Sequence, residues 1–146
     1  MYQRILIAVD GSDLSDHALR EAISLAQGVG ATLRIVHVVD EVTLNWEGEY
    51  ADMSAVLESF REAGRRILEK AQNLAREAGM APEAKLLEIQ TFGHRISDLI
   101  VDEARDWPAD LIVVGAHGRR GLHDVLLGSV SDGVARRAGV PVLLVR

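Results

Sequence analysis

Between residues 115 and 129 the chain carries four glycines, Gly115, Gly118, Gly121 and Gly128, followed directly by Ser129. The stretch leaves a short apolar run, 111–114 (LIVV), and enters a segment of helical character. Glycine permits positive φ and lets a ligand come close to the backbone. Successive amides in such a loop can point inward and cradle an anion. Gly128 and Ser129 stand where the helix begins, so its unbonded amides and positive dipole end favour a phosphate there. Two other readings stay open. Turns between strands and helices use glycine for their own geometry, and Ser129 with Asp132 has capping-box spacing, which would engage the same amides with side chains. The stretch is not a Walker loop, because no lysine follows Gly128, and no G-x-G-x-x-G dinucleotide fingerprint occurs.

Asp10 is the second candidate. It ends the apolar run 4–9 (RILIAV) and begins a turn with Gly11 and Ser12. It can cap that turn or present its carboxylate to a ligand. Within the glycine stretch, Arg119 can pair phosphate oxygens bidentately. His117 can add charge support or belong to an exposed loop, and for His123 the exposed-loop reading is preferred. His37 lies in an apolar run and reads as a packed, hydrogen-bonded histidine, whereas His17 and His94 read as helix-surface residues. No histidine pair has metal-site spacing, and Arg136 and Arg137 read as cations complementing the carboxyl end of a helix.

Strands and helices in alternation must position these groups. Apolar runs at 4–9, 32–39, 84–91, 111–114 and 142–145 read as strands. Between them, Ala18, Leu19, Ala22, Leu25, Ala26 and Val29 form a helical stripe, with Ser12 or Asp13 as its cap and Gly28 or Gly30 as its stop. A second stripe runs from Leu57 to Ala78 and stops at Gly79. Ile96, Leu99, Ile100 and Ala104 make a third, bounded by Pro108, and 129–138 is a short fourth helix. Five strands alternating with four helices predict a single α/β domain over 1–146, a parallel sheet with helices on both faces. The third strand, interrupted by Lys85, Glu88 and Gln90, suits an edge, which predicts strand order 3-2-1-4-5. Ligands of such sheets bind where the order reverses, at the carboxyl ends of strands 1 and 4. Asp10 and Gly115 follow those two ends.

Composition narrows the function. With 22 acidic against 16 basic residues and a net charge of −6, the chain is a poor general binder of nucleic acid or anionic membrane. It has no cysteine, which excludes disulfides, thiolate metal sites and cysteine nucleophiles. No apolar stretch approaches the roughly 20 residues of a membrane span, and the opening lacks a signal-peptide pattern, so a cytoplasmic protein is expected. The segment 40–58 holds six carboxylates and no Lys or Arg, with Trp46 and Tyr50 among them, and reads as an acidic loop running into a helix.

The blocks 115–118 (GAHG) and 128–131 (GSVS), with the ending 140–146 (VPVLLVR), resemble the universal stress protein family. Its nucleotide-binding members carry a glycine, two residues, a glycine, nine residues, then a glycine and Ser or Thr. Gly115, Gly118, Gly128 and Ser129 match at every step. The segments 5–12 (ILIAVDGS) and 36–40 (VHVVD) are similar to the family's first two strands. A departure is 92–94 (FGH), where many relatives have a Gly-x-Pro turn.

The resemblance implies ATP with magnesium, held by a Rossmann-like sheet. It places Asp10 at the ribose and metal, Ala8 and Val38 along the adenine, and Val114 and Gly115 under base and ribose. It places Gly118, Gly128, Ser129 and Val130 around the phosphates, beside the Arg119 candidate. It also implies a homodimer through 142–145, an apolar run left at a sheet edge. The matched positions supply amides, one hydroxyl and one carboxylate. These favour holding ATP in a regulatory module, with slow ATP hydrolysis by a related sheet enzyme as the alternative. A phosphoacceptor signalling domain would want clustered acids after strand 1 and a lysine at the last strand, and the last strand has none.

Overall fold

A computed structural model describes residues 1–40, 53–91, 93–117 and 127–146. The chain runs β1 (Arg4–Ala8), α1 (Asp13–Val29), β2 (Thr32–Val39), α2 (Met53–Glu77), β3 (Glu83–Glu88), α3 (Ile96–Asp106), β4 (Leu111–Gly115), α4 (Ser129–Arg137) and β5 (Val142–Val145). The five strands form one sheet in the order β3-β2-β1-β4-β5, every neighbouring pair parallel. This is the order expected from the polarity of the third strand, which lies at an edge with its first three residues exposed.

The pleat sends alternate residues to opposite faces, and each face has its own core. Ile5, Ile7, Leu33, Ile35 and Val113 pack under α1 and α2. Leu6, Val36, Val38, Ile112 and Val114 pack under α3 and α4. Ile5, Leu6 and Ile7 of the central strand are wholly buried, which is why this run reads as continuously apolar without alternation.

Local chemistry sets most boundaries. Ser12 caps α1 by accepting the Ser15 amide at 3.1 Å, and Gly30 ends it in the left-handed region at φ 73°. The helix α2 begins at Met53, inside the segment read as an acidic loop, so its last residues belong to a helix. β3 stops at Glu88, three residues before the expected Thr91. His94 precedes α3 and does not lie on its surface. Two glycines allow close helix approach. A Cβ on Gly64 would sit 2.9 Å from Leu86 Cδ1 under α2, and one on Gly133 would meet Ser97 Cβ at 2.7 Å between α4 and α3.

A charged network closes the β3 side. Glu103 of α3, 5 % exposed, accepts from Arg34 at 2.5 Å and from Lys85 at 2.8 Å. Arg34 also binds Glu83 at 2.8 Å and lies over the Trp107 ring, 4.7 Å from its centroid. Burial works against the Arg34 charge, but the two carboxylates outweigh it and raise its pKa.

Candidate functional site

The sheet grows from β1 outward through β2 to β3, then returns to β4 on the other side of β1. α1 therefore leaves over one face and α3 arrives over the other, which opens a crevice at the carboxyl ends of β1 and β4. β1 and β4 are in register from Ile5 opposite Leu111 to Ile7 opposite Val113. Continuing that register sets Ala8 beside Val114. Val38 and Val114 are buried in the core under α3 and α4, and Ala8 and Val130 pack against the same cluster. Four residues taken from separate parts of the sequence thus belong to one hydrophobic cluster.

Asp10 is held in place by its neighbours. Its amide donates to Ser15 Oγ at 2.9 Å, and its Oδ1 accepts the Ser12 amide at 2.9 Å across a turn with Gly11 at φ 83°. Asp10 therefore does not cap α1, a task that falls to Ser12. His37 is the packed histidine the sequence suggests. Its Nδ1 donates to the Val9 carbonyl at 2.7 Å, next to Asp10.

On the β4 side, Gly115 ends the strand without positive φ. A Cβ there would meet only ordinary contacts, 3.4 Å to the His117 carbonyl and to Leu14 Cγ. Among the described residues, neither packing nor backbone angle demands this glycine. The His117 Nδ1 is buried and has no hydrogen-bond partner among the described residues, a condition that costs about 1–3 kcal/mol unless a partner arrives.

The start of α4 corrects one reading. Gly128, at φ −65° and ψ 160°, is the cap residue, and no side chain caps the helix. The Ser129–Asp132 capping box does not form. Asp132 instead pairs with Arg136 at 2.9 Å. Gly128 donates its amide to the Ala116 carbonyl at 2.7 Å, and the first helical bond runs from Asp132 to the Gly128 carbonyl at 2.9 Å. The amides of Ser129, Val130 and Ser131 have no bond to a described residue. Three donors at the positive end of a nine-residue helix suit a phosphate. Ser129 is exposed beside them.

Of the residues singled out in the sequence, Gly118, Arg119, His123, Trp46 and Tyr50 lie outside the described residues. So does Phe92. Arg137 does more than complement a dipole, because it also pairs with Asp98 of α3. The residue that the sequence reading missed is Ser131. Its pattern signals only a polar position in the first turn, yet its hydroxyl lies 2.8 Å from the Ala116 carbonyl, fifteen residues away in sequence.

Other surfaces offer less. A groove of about 450 Å³ between α1 and α2 is lined by Arg20, Arg66 and Lys70 against Asp16, Glu69 and Glu77, a balanced set with no net preference for an anion. Among the described residues no three metal-ligating side chains cluster, and no helix is long and apolar enough to cross a membrane.

A five-stranded parallel sheet of this order with helices on both faces defines a Rossmann-like α/β protein. The chain belongs to the universal stress protein family, which it matches over residues 1–146. It is 37% identical to a universal stress protein of Methanocaldococcus jannaschii, covering 100% of this chain and 83% of that one. It is 35% identical to one of Bacillus subtilis over the full length of both. Among solved structures, a universal stress family protein from Burkholderia pseudomallei is similar with a TM-score of 0.78 and 34% identity, over 99% of this chain and 96% of that one. Two others hold adenine nucleotides. A universal stress protein in complex with cAMP has a TM-score of 0.69 and 29% identity, over 99% and 97% of the chains. One from Archaeoglobus fulgidus in complex with dAMP has 0.68 and 29%, over 99% and 98%.

Proposed function

We propose that this protein binds ATP as its magnesium complex at the carboxyl ends of β1 and β4, and serves as a cytoplasmic regulatory module of the stress response. The observation that carries the reading is the uncapped start of α4, three amides with no partner among the described residues. The hydrophobic cluster of Ala8, Val38, Val114 and Val130 suits an adenine ring. Relatives solved with cAMP and dAMP support an adenine nucleotide. In this reading Gly115, Gly118, Gly128, Ser129 and Arg119 surround the ribose and phosphates. Magnesium is commonly held by one or two carboxylates together with substrate phosphates, and Asp10 is the carboxylate at hand. The matched positions supply amides, the Ser129 hydroxyl and the Asp10 carboxylate, which favour holding ATP over turning it over.

Calorimetry with ATP and Mg²⁺, paired with mass spectrometry of ligand extracted from purified protein, tests the reading. Binding in the wild type and its loss in Gly118→Val, with the fold retained, are expected. A wild type with no affinity for any adenine nucleotide overturns it.

The same reading includes a homodimer through Val142–Val145. The Pro141 carbonyl accepts from Ile112 of β4 and the Val145 carbonyl from Ala116 just after it. Strand residues alternate in direction, so Val142 and Leu144 turn their N–H and C=O groups to the open edge. Leu143 is 37% exposed there. An unpaired apolar edge is an association site, and self-pairing about a two-fold axis closes at two copies. Leu144→Pro deletes an outward donor while leaving the β4 ladder intact, and light scattering should report a monomer. A monomeric wild type at micromolar concentration refutes the dimer.

A further inference from the structure

The segment between β4 and α4 begins and ends at two points that the fold holds together. Gly128 donates to the Ala116 carbonyl at 2.7 Å, and Ala116 donates to the Val145 carbonyl of β5 at 2.7 Å. Ser131 adds a side chain to this junction. Its hydroxyl, in a residue 2% exposed, lies 2.8 Å from the Ala116 carbonyl and 3.0 Å from the Gly128 carbonyl. A serine hydroxyl bonding to a carbonyl within its own helical turn is ordinary. The bond to Ala116 is not local, and it is made away from water, where a hydroxyl without an acceptor is costly.

We propose that Ser131 is a positioning residue of the nucleotide site, whose buried hydroxyl ties the end of β4 to the first turn of α4. The inference rests on the nucleotide reading given above. The Ser131 side chain touches no ligand in this role, whatever its amide does. It sets the separation of Ala116 from Gly128, and with it the direction of the amides of Ser129 and Val130. A phosphate bound by several amides at once needs them aligned before it arrives, since ordering them on binding weakens affinity. The hydroxyl thus acts through geometry, and one proton shared between two carbonyls serves both ends of the glycine segment.

The test compares three full-length variants. Ser131→Ala removes the hydroxyl and should weaken Mg–ATP binding about tenfold, the scale of one buried hydrogen bond. Ser131→Thr keeps the hydroxyl and should restore most of the affinity. Val134→Ala opens a cavity on the same helix, where Val134 is wholly buried, without touching the junction. It should lower the unfolding temperature while leaving affinity unchanged. A merely structural role for Ser131 predicts that affinity follows stability across all three. Hydrogen exchange of the Gly128 amide, measured by NMR without ligand, should quicken in Ser131→Ala and not in Val134→Ala. Unchanged exchange, or wild-type affinity in Ser131→Ala, overturns the inference even when the wild type binds ATP. A wild type that binds no adenine nucleotide removes the nucleotide reading and this inference with it, whatever the exchange data show.

Discussion

Asp10 performs two tasks that one substitution can separate. Its Oδ1 accepts the Ser12 amide at 2.9 Å and so shapes the turn between β1 and α1. Its charge, in the proposed function, faces the metal. Asp10→Asn keeps an oxygen in the same place and removes the charge. Asp10→Ala removes both. One hydrogen bond of this kind contributes about 1 kcal/mol to stability. Asp10→Ala should therefore lower the unfolding free energy by about that amount, and Asp10→Asn by less than about half of it. Binding should respond to charge alone. Unit charges about 4 Å apart attract by about 1 kcal/mol even at the dielectric of water, which corresponds to about fivefold in affinity. Both variants should weaken Mg–ATP binding by at least that factor. Metal-free ATP should bind them no worse than wild type, because a carboxylate repels its phosphates. Urea unfolding measures the first quantity and calorimetry with and without Mg²⁺ the second. If Asp10→Asn binds Mg–ATP as tightly as wild type, Asp10 is a turn residue and nothing more.

Three further outcomes test the scaffold around the site. Glu103→Ala leaves Arg34 in a half-buried place without its inner partner and should cost about 3 kcal/mol by urea unfolding, the scale of a broken buried ion pair; a loss under about 1 kcal/mol would show the network to be ornamental. Gly133→Ala drives a methyl into Ser97 and should cost about 1–3 kcal/mol, with Ser97→Gly in the same chain recovering most of it. Asp98 accepts the Arg95 amide at 2.9 Å and faces Arg137, and both lower its pKa, the amide more strongly. A lowered carboxyl pKa contributes stability above the ordinary carboxylate range and loses it as pH falls through the lowered value. Thermal unfolding of Asp98→Asn followed against pH should accordingly show a flatter acid limb than wild type, and parallel curves would remove this contribution.

Much of the architecture is written in local patterns. Continuous apolar runs such as 4–9 can only be strands buried on both faces, and stripes such as Ala18, Leu19, Ala22 and Ala26 can only be one side of a helix. Alternation of the two dictates parallel strands, and the polar third run dictates which strand takes the edge. Where local signals compete, the sequence misleads. The run after Glu88 has strand composition, yet pairing stops there because β2 ends at Val39, which lies opposite Glu88. The acidic segment up to Glu58 reads as a loop running into a helix without fixing where the helix starts. It starts at Met53, four residues before the apolar stripe that opens at Leu57, and its far part packs on the core through Leu68, Ala71 and Ala75.

By itself the sequence determined the class of fold and the switch point of its sheet, because periodicity and turn chemistry are properties of neighbouring residues. The tertiary structure decided how the start of α4 is capped. Ser129 and Asp132 have the spacing of a capping box, but the Gly128 amide is drawn to the Ala116 carbonyl and the Asp132 carboxylate to Arg136. Those competing partners leave the helix amides open. It also decided the place of Ser131, since a hydroxyl bonding fifteen residues back along the chain leaves no trace in the pattern around it. A contact of that kind exists only once β4 and α4 have been brought together by the core beneath them.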